Sequence, residues 1–441
     1  MKKFYIKTLG CKVNQYESDG IACELISHDL IKEKKPNNAD ICIINTCAVT
    51  SKASRQSRQA IRNIIKLNSK AKIIVTGCHA QTSFKKIMEI KNIDCITTHK
   101  DKFKIARAII DKKKGLASIK VPQSNQCSNK IFHSFKPAVT GDKTRAYLKI
   151  QDGCNAFCTY CIVPYARGRS VSMQEDEVIE HLNLLNKLKY KEIIITGINL
   201  GAYGLDFKKK SSLFILLKKI AYLKPTRQIR LSSIEPKELT NDIITLVAQN
   251  DIFCNHFHIP LQSGDDKILK KMKRPYNTSL FKNLILKIHK KIPFAGIGID
   301  ILAGFPEETE KAFENTLSLI NELPISYLHV FPFSSRKGTL AFNYKNKINP
   351  KVIKKRCSII RQLGEKKTKE FKQKNIEKTL KAIIQKKRDY KTGKLKAVTS
   401  NYLNILVNGD NKLREKIVKI KIKKFDSNNH LHGEIKEKIN D

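Results

Sequence analysis

The chain has 441 residues, 41% of them apolar, which is enough for more than one core, yet it holds no uncharged run long enough to cross a bilayer. Lys and Arg number 85 against 40 Asp and Glu, a net charge of +45 that excludes a polycation partner and favours a polyanion, nucleic acid first among them. Twelve cysteines without a secretory leader imply a reducing, cytoplasmic setting, which excludes a disulfide framework and favours metal or cluster binding. The many Lys, Ile and Asn also read as a compositional bias, and Lys112–Lys114 and Lys208–Lys210 as solvated faces.

Residues 1–118 alternate short apolar runs with helical stretches. Lys3–Leu9, Asp40–Asn45 and Lys72–Thr76 read as buried strands and Ser51–Leu67 as an amphipathic helix, the pattern of a parallel α/β sheet. Cys11, Cys47 and Cys78 each stand just after one of these strands. The carboxyl ends of parallel strands share one edge, where ligands gather, so the three thiols converge on one patch; three unrelated core thiols are the alternative. Residues 119–144 lose periodicity and collect Pro, Ser, Asn and Lys, so they read as a linker.

Over residues 145–374 six strands follow in order: Ala146–Ile150, Glu192–Thr196, Gln228–Ser232, His256–Ile259, Gly296–Ile301 and Tyr327–Phe331. Helices such as Asp176–Leu188 and Ser279–Lys291 separate them, and Val352–Lys374 trails behind. Six β/α units of this size suggest an open partial barrel of the TIM type. After the first strand comes Cys154-Asn-Ala-Phe-Cys158-Thr-Tyr-Cys161. Three thiolates so spaced can hold one cubane cluster and leave one iron open, whereas a structural zinc site would need a fourth ligand close by. Residues 375–441, with strands at Leu395–Thr399, Leu403–Val407 and Ile417–Ile422, read as a small basic β domain. Cys23, Cys42, Cys95, Cys127, Cys254 and Cys357 read as ordinary thiols.

The 154–161 spacing, with aromatic Tyr160 before the third cysteine, resembles the signature of radical S-adenosylmethionine enzymes. Together with Thr-Leu-Gly-Cys11-Lys-Val-Asn-Gln-Tyr-Glu-Ser, Asn45-Thr-Cys47-Ala-Val-Thr and the run Gly153–Arg169, it makes nearly the whole chain similar to the radical methylthiotransferases. That resemblance implies an α/β N-terminal domain holding an auxiliary 4Fe-4S cluster on Cys11, Cys47 and Cys78, and a radical barrel with a second 4Fe-4S cluster on Cys154, Cys158 and Cys161. It also implies a C-terminal TRAM-like RNA-binding β-barrel. S-adenosylmethionine would serve as methyl donor and radical source, tRNA as substrate, and a flavodoxin or ferredoxin as electron donor; the sulfur donor is unspecified and no membrane is involved.

The resemblance further places Tyr160, Gly197, Asn199, Ser233, Glu235, Gln262, Asp300 and Phe331 around S-adenosylmethionine at the barrel mouth. Gly197 and Asn199 would lie near its methionine end, Glu235 near the ribose hydroxyls and Phe331 beside adenine. Taken singly, each of these runs is equally a turn or a satisfied core group, and His258 equally a core histidine. Arg167 and Arg169, with Arg336, are candidates for an RNA phosphate or the modified base; salt bridges to Glu175 or Asp176 are the alternative for the first two. Three positions depart from the family pattern: His79 stands where Tyr is usual, Ala156 where Asn is common and Glu307 where Gly is common. The residues after Cys11 resemble the branch acting on N6-threonylcarbamoyladenosine beside the anticodon, at tRNA position 37. Branches acting on isopentenyladenosine or on a ribosomal-protein aspartate are the rivals within the family. A non-enzymatic iron–sulfur RNA-binding redox sensor is the rival outside it.

Overall fold

The computed structural model describes residues 1–111, 116, 131–137, 143–426 and 428–439. The first sheet comprises β1 (Lys3–Thr8), β2 (Ile31–Lys32), β3 (Ile41–Thr46), β4 (Lys72–Gly77) and β5 (Cys95–Ile96), all parallel in the order β2-β1-β3-β4-β5. Central β3 is buried at every residue, as a strand covered on both faces must be. Its flanking helices are α1 (Lys12–Ile26), α2 (Ser51–Leu67, as read from the sequence) and the short α3 (Cys78–Thr82). Thr50 caps α2 through its hydroxyl, which accepts from the Ala53 amide at 3.0 Å.

In the next unit, β6 (Ala146–Lys149) leads into a two-residue antiparallel pair, β7 (Gln151–Asp152) with β8 (Val171–Ser172), that brackets the cysteine loop. Then come β9 (Glu192–Thr196), β10 (Gln228–Leu231), β11 (His256–Gln262), β12 (Gly296–Ala303) and β13 (Tyr327–Pro332). They form two parallel three-stranded blocks, β10-β9-β6 and β11-β12-β13. Isolated bridges at Ile229–Phe253 and Ser233–His258 join the blocks, so the six strands curve into the open barrel expected from the sequence. The trailing helix, Pro350–Lys374, packs on β13.

The C-terminal segment closes into a five-stranded barrel of β14 (Thr379–Arg388), β15 (Leu395–Thr399), β16 (Asn404–Val407), β17 (Ile417–Phe425) and β18 (Leu431–Lys438), in the order β14-β15-β16-β18-β17. Its loop 399–402 plugs the lower end of the radical barrel. Arg230 donates to the carbonyls of Thr399 at 3.0 Å and Ser400 at 2.9 Å, while Tyr402 lies 4.5 Å from the His256 ring.

In the stretch read as a linker, 119–130 and 138–142 lie outside the described residues, as do Cys127 and Lys112–Lys114. Phe135 is buried, its ring 4.7 Å from Phe103, and its backbone amide donates to the Tyr16 hydroxyl of α1 at 3.0 Å. Among the described residues, no helix is long and apolar enough to cross a membrane.

Candidate active site

Cys11, Cys47 and Cys78 follow β1, β3 and β4, neighbours in the sheet, and so emerge at one edge. Gly10 takes φ +102°, and a Cβ there would meet Cys47 Sγ at 2.9 Å, so the turn before Cys11 stands directly against Cys47. Gly77 takes φ +95°, and a Cβ there would lie 2.4 Å from Asn45 Oδ1. Asn14, one turn into α1, donates to the carbonyls of Leu9 at 2.7 Å and Thr46 at 3.1 Å, locking the approaches to Cys11 and Cys47 together. The Ser57 hydroxyl both accepts from the Cys47 amide and donates to its carbonyl, at 3.1 Å each. Cys11 is open to solvent, yet desolvation raises its thiol pKa. Burial pushes Cys47 up to about 11, so metal binding must displace a proton from this thiol.

Cys154, Cys158 and Cys161 lie close enough for the charge on one thiolate to disfavour another, and burial raises all three. Arg274 donates to Cys158 Sγ at 3.2 Å and pairs with Glu235, while its Nε donates to the Tyr276 hydroxyl at 3.0 Å. Tyr160 sets its ring edge-on to Phe305 at 6.4 Å. The two cysteine groups meet across a small apolar seam, in which Cys78 packs with Ala48, Ile162, Tyr165 and Ala166. Beside it, the Ser51 amide of α2 donates to the Ser334 hydroxyl at 2.8 Å.

At the barrel mouth, Gln151 accepts from the Asn199 amide at 2.8 Å, and Asn199 Nδ2 donates to Glu238 at 2.9 Å. Gly197 leaves room for the Gln151 side chain, whose Oε1 would be 2.9 Å from a Cβ there. Burial pushes Glu238 up to about 7, against the opposing hydrogen bond from Asn199. Asn199 Oδ1, Ser232 Oγ and Glu238 Oε2 are buried polar atoms left without a partner. Ser233 is half-buried at the bridge to β11, and Gln262 takes φ +68° at a bulge in β11. Deeper in the lumen, Asp300 accepts from His258 at 3.0 Å and His329 at 3.2 Å. Burial would raise the Asp300 carboxyl, but these two bonds outweigh it and hold the group at about 2. Phe331 is exposed, its ring 6.4 Å from His329.

The sequence reading of Arg167 as an RNA ligand is corrected. Its guanidinium is 1% exposed and bonds Asp152 at 2.9 Å, Glu17 at 3.0 Å and Asn14 at 2.5 Å. Lys102 and Lys149 complete this buried network, with Nζ at 2.7 Å from Glu17 and 2.8 Å from Asp152. A buried cation so paired is not available to a substrate. Glu175 and Asp176 bond Ser211 and Lys219 instead, so the alternative pairing also fails. Arg169 is exposed and stacks over Phe157 at 4.6 Å. Arg336 is half-buried, donates to Ser54 at 2.8 Å and feels the charge of Cys47, which puts it beside the first cysteine group. Lys12 is half-buried at the start of α1; desolvation, with Arg145 and Arg230, lowers its pKa to about 8. Of the departures from the family pattern, His79 is buried against Arg58, and Ala156 donates its amide to Cys154 Sγ at 3.4 Å. Glu307 sits at φ +66°, which is the conformational reason glycine suits that position.

Residues 3–98 match the Uncharacterized protein family UPF0004, and residues 148–320 match the Radical SAM superfamily. The chain is 36% identical, over 95% of its length and 93% of the relative's, to the threonylcarbamoyladenosine tRNA methylthiotransferase of Bacillus subtilis (strain 168). The chain belongs to the radical S-adenosylmethionine methylthiotransferases. Another member, the tRNA-2-methylthio-N(6)-dimethylallyladenosine synthase of Petrotoga mobilis, is 33% identical over 98% of this chain and 99% of its own. Among solved structures, the radical S-adenosylmethionine methyltransferase TsrM from Kitasatospora setae superposes with TM-score 0.56 at 14% identity, covering 75% of each chain, a likeness of fold.

Within this methylthiotransferase, the sequence reading missed Arg274, Glu238, Gln151 and the Glu17–Asp152 pair. Arg274 lies 116 residues from Cys158, and no local spacing announces that contact. A weaker signal was present in Glu238, three residues beyond Glu235 in the same loop.

Proposed function

We propose that this chain transfers a methylthio group to N6-threonylcarbamoyladenosine beside the anticodon of tRNA. The observation that carries the reading is the seam at which Cys78 of the first cysteine group packs on Ile162 and Ala166, just beyond Cys161 of the second. A radical source and a sulfur-bearing cluster must face one acceptor base for such a transfer, and this seam brings their ligands together.

The residues fit the implied groups. Cys11, Cys47 and Cys78 supply three soft donors on one sheet edge, and Cys154, Cys158 and Cys161 supply three on one loop, the donor set of an iron–sulfur cube with one iron open. The unpartnered atoms of Asn199, Ser232 and Glu238 await polar ligand groups at the barrel mouth, where S-adenosylmethionine would bind. When bound, the two 4Fe-4S clusters and S-adenosylmethionine supply methyl transfer to sulfur, reductive sulfonium cleavage and hydrogen abstraction. Arg274 donates to the Cys158 sulfur and so stabilises added electron density there. Tyr160 and Phe305 wall the loop with apolar surface and exclude water. Arg169, exposed over Phe157, would meet an RNA phosphate, and Arg336, which feels Cys47, would meet the acceptor nucleotide.

The electron donor is a small low-potential carrier such as a flavodoxin or ferredoxin, and the setting is the cytoplasm, where tRNA is modified. Nucleosides from cells lacking the protein test the reading: the 2-methylthio form of threonylcarbamoyladenosine should vanish and its precursor accumulate. Loss of the isopentenyl counterpart instead would move the chain to the branch of the Petrotoga relative.

A further inference from the structure

Thr159, between Cys158 and Cys161, ties the cysteine loop to two surface segments. Its amide donates to the Met272 carbonyl at 3.1 Å and its hydroxyl to the Lys271 carbonyl at 3.0 Å, and its carbonyl accepts from the Ala341 amide at 2.8 Å. Met272 closes the helix Asp266–Lys271, and Ala341 is the middle of the one-turn helix Leu340–Phe342. Ala341 is buried while its two neighbours face solvent, Leu340 47% exposed and Phe342 37%. The Tyr344 hydroxyl donates to the Lys271 carbonyl at 3.4 Å and the Glu307 amide to the Asn346 carbonyl at 3.2 Å, so residues 340–347 lie against the end of that helix. Exposed Lys270, Lys273, Lys345 and Lys347 therefore rim the apolar pair. The nearby acids are engaged: Glu307 pairs with Lys271, and Asp266 accepts from the Thr278 amide at 2.7 Å. Among the described residues the ammonium groups of Lys270, Lys273 and Lys345 have no hydrogen-bond or ion-pair partner, and that of Lys347 stands 5.2 Å from the Phe342 ring.

An exposed apolar centre inside a charged rim is the anatomy of a protein contact, and the sign of this rim selects an acidic partner. RNA shares that charge, but its phosphates gain nothing from Leu340. The acceptor base, moreover, has to reach the seam of Cys78 with Ile162 and Ala166, to which Thr159 does not belong. What the patch does adjoin is a cluster ligand: Thr159 follows Cys158 directly, so the Ala341–Thr159 hydrogen bond joins the surface segment to that cysteine across one peptide. Resting on the reading above that a small carrier supplies the electron, we infer that the patch centred on Leu340 and Phe342 is the docking surface for an acidic electron-transfer protein. One electron leaves the carrier's reduced flavin or iron–sulfur centre and enters the cluster held by Cys154, Cys158 and Cys161; no bond is made or broken. Electron-transfer encounters bury little surface, so a patch of this size suffices.

The test uses reconstituted holoenzyme and two acidic probes, a bacterial flavodoxin and an iron–sulfur ferredoxin, with dithionite as a reductant that needs no docking. At least one probe should bind wild type in a calorimetric titration, and more weakly as salt rises. Lys345→Glu with Lys347→Glu should weaken that binding roughly tenfold or more, since two steering charges are reversed. The carrier concentration that half-saturates cleavage of S-adenosylmethionine should rise by a similar factor. Dithionite-driven cleavage and the electron paramagnetic resonance signals of both clusters should not change. Leu340→Ser should weaken carrier binding while keeping its salt dependence, because it removes apolar surface and no charge. Equal binding of the probes by wild type and the double variant overturns the inference, as does failure of wild type to bind either probe. An equal fall in dithionite-driven cleavage overturns it in favour of a role in shaping the cysteine loop. Weakened tRNA binding with carrier binding intact overturns it by giving the patch to RNA. Cleavage is followed without RNA, so the result stands apart from which nucleoside the enzyme modifies.

Discussion

Arg167 ties together two units that share no sheet: Glu17 and Asn14 belong to α1 of the first, Asp152 to β7 of the second. Removing one partner of a buried ionic network leaves charge unpaired, so Arg167→Gln is expected to cost about 3–5 kcal/mol, read from a shifted urea midpoint. Because Asn14 also holds the carbonyls before Gly10 and Cys47, the same variant should bind less iron at the first cysteine group. Glu238 gives a signed pH dependence. Its folded pKa is about 7, above the ordinary 4.5, so the unliganded fold favours the protonated carboxyl. The penalty is absent below pH 4.5, grows as pH rises and is complete above 7, at roughly 2 kcal/mol after allowing for solvent screening. Glu238→Gln should therefore match wild type in unfolding at pH 4 and exceed it at pH 8; equal midpoints at both would refute the burial argument. At this scale Cys154, Cys158 and Cys161 were legible because their spacing is local, and Cys11, Cys47 and Cys78 because each follows a strand of one parallel sheet. Arg274 and Arg167 were not, because their partners come from distant segments.

Elements were legible where apolar runs are dense. Ser51–Leu67 emerged with its sequence-read bounds because its buried positions, Ser54, Ser57, Ile61 and Ile64, recur at helical spacing. By contrast β14 and β18 carry exposed lysines and glutamates on their outer faces, which dilutes the alternation, and β2 and β5 have two residues each. Turns were legible through glycine. Gly77 begins α3 at φ +95°, and an added Cβ would strike Asn45 Oδ1 and the Thr46 backbone within 2.6 Å. Gly77→Ala is therefore expected to displace Cys78 and lower reconstituted iron to about half, the share of one cluster in two. The resonance signal of the 154–161 cluster should survive. Full iron content in that variant would mean that the turn tolerates a side chain.

At the scale of the whole molecule, the C-terminal barrel is the floor of the radical barrel, and that decides how a role in RNA binding must be tested. Deleting it would strip the Thr399 and Ser400 carbonyls from buried Arg230 and the Asn401 backbone from Gly296, where an added Cβ would lie 2.1 Å from the Asn401 oxygen. A truncated chain would lose RNA binding by collapsing. The basic cleft between β6 and this barrel allows a cleaner experiment. It encloses about 240 Å³ lined by Lys143, Arg145, Tyr147, Lys386, Lys387 and Lys396 among others, a polycationic groove opening beside the barrel edge. Its charge was legible in the composition, but its location was not, because lysines are spread along the whole chain and the fold alone gathers these. Lys387→Glu with Lys396→Glu changes two outward positions and leaves the 399–402 plug intact. Binding of unmodified tRNA by wild type should fall roughly a thousandfold between 50 and 200 mM salt if about six phosphates are engaged. In the double variant the logarithmic salt slope should shrink by about 0.9 for each phosphate that is no longer neutralised, and affinity at low salt should drop. Cleavage of S-adenosylmethionine without RNA should not change, since neither lysine lies near the cysteine loop. An unaltered salt slope would place the RNA backbone elsewhere on this basic surface.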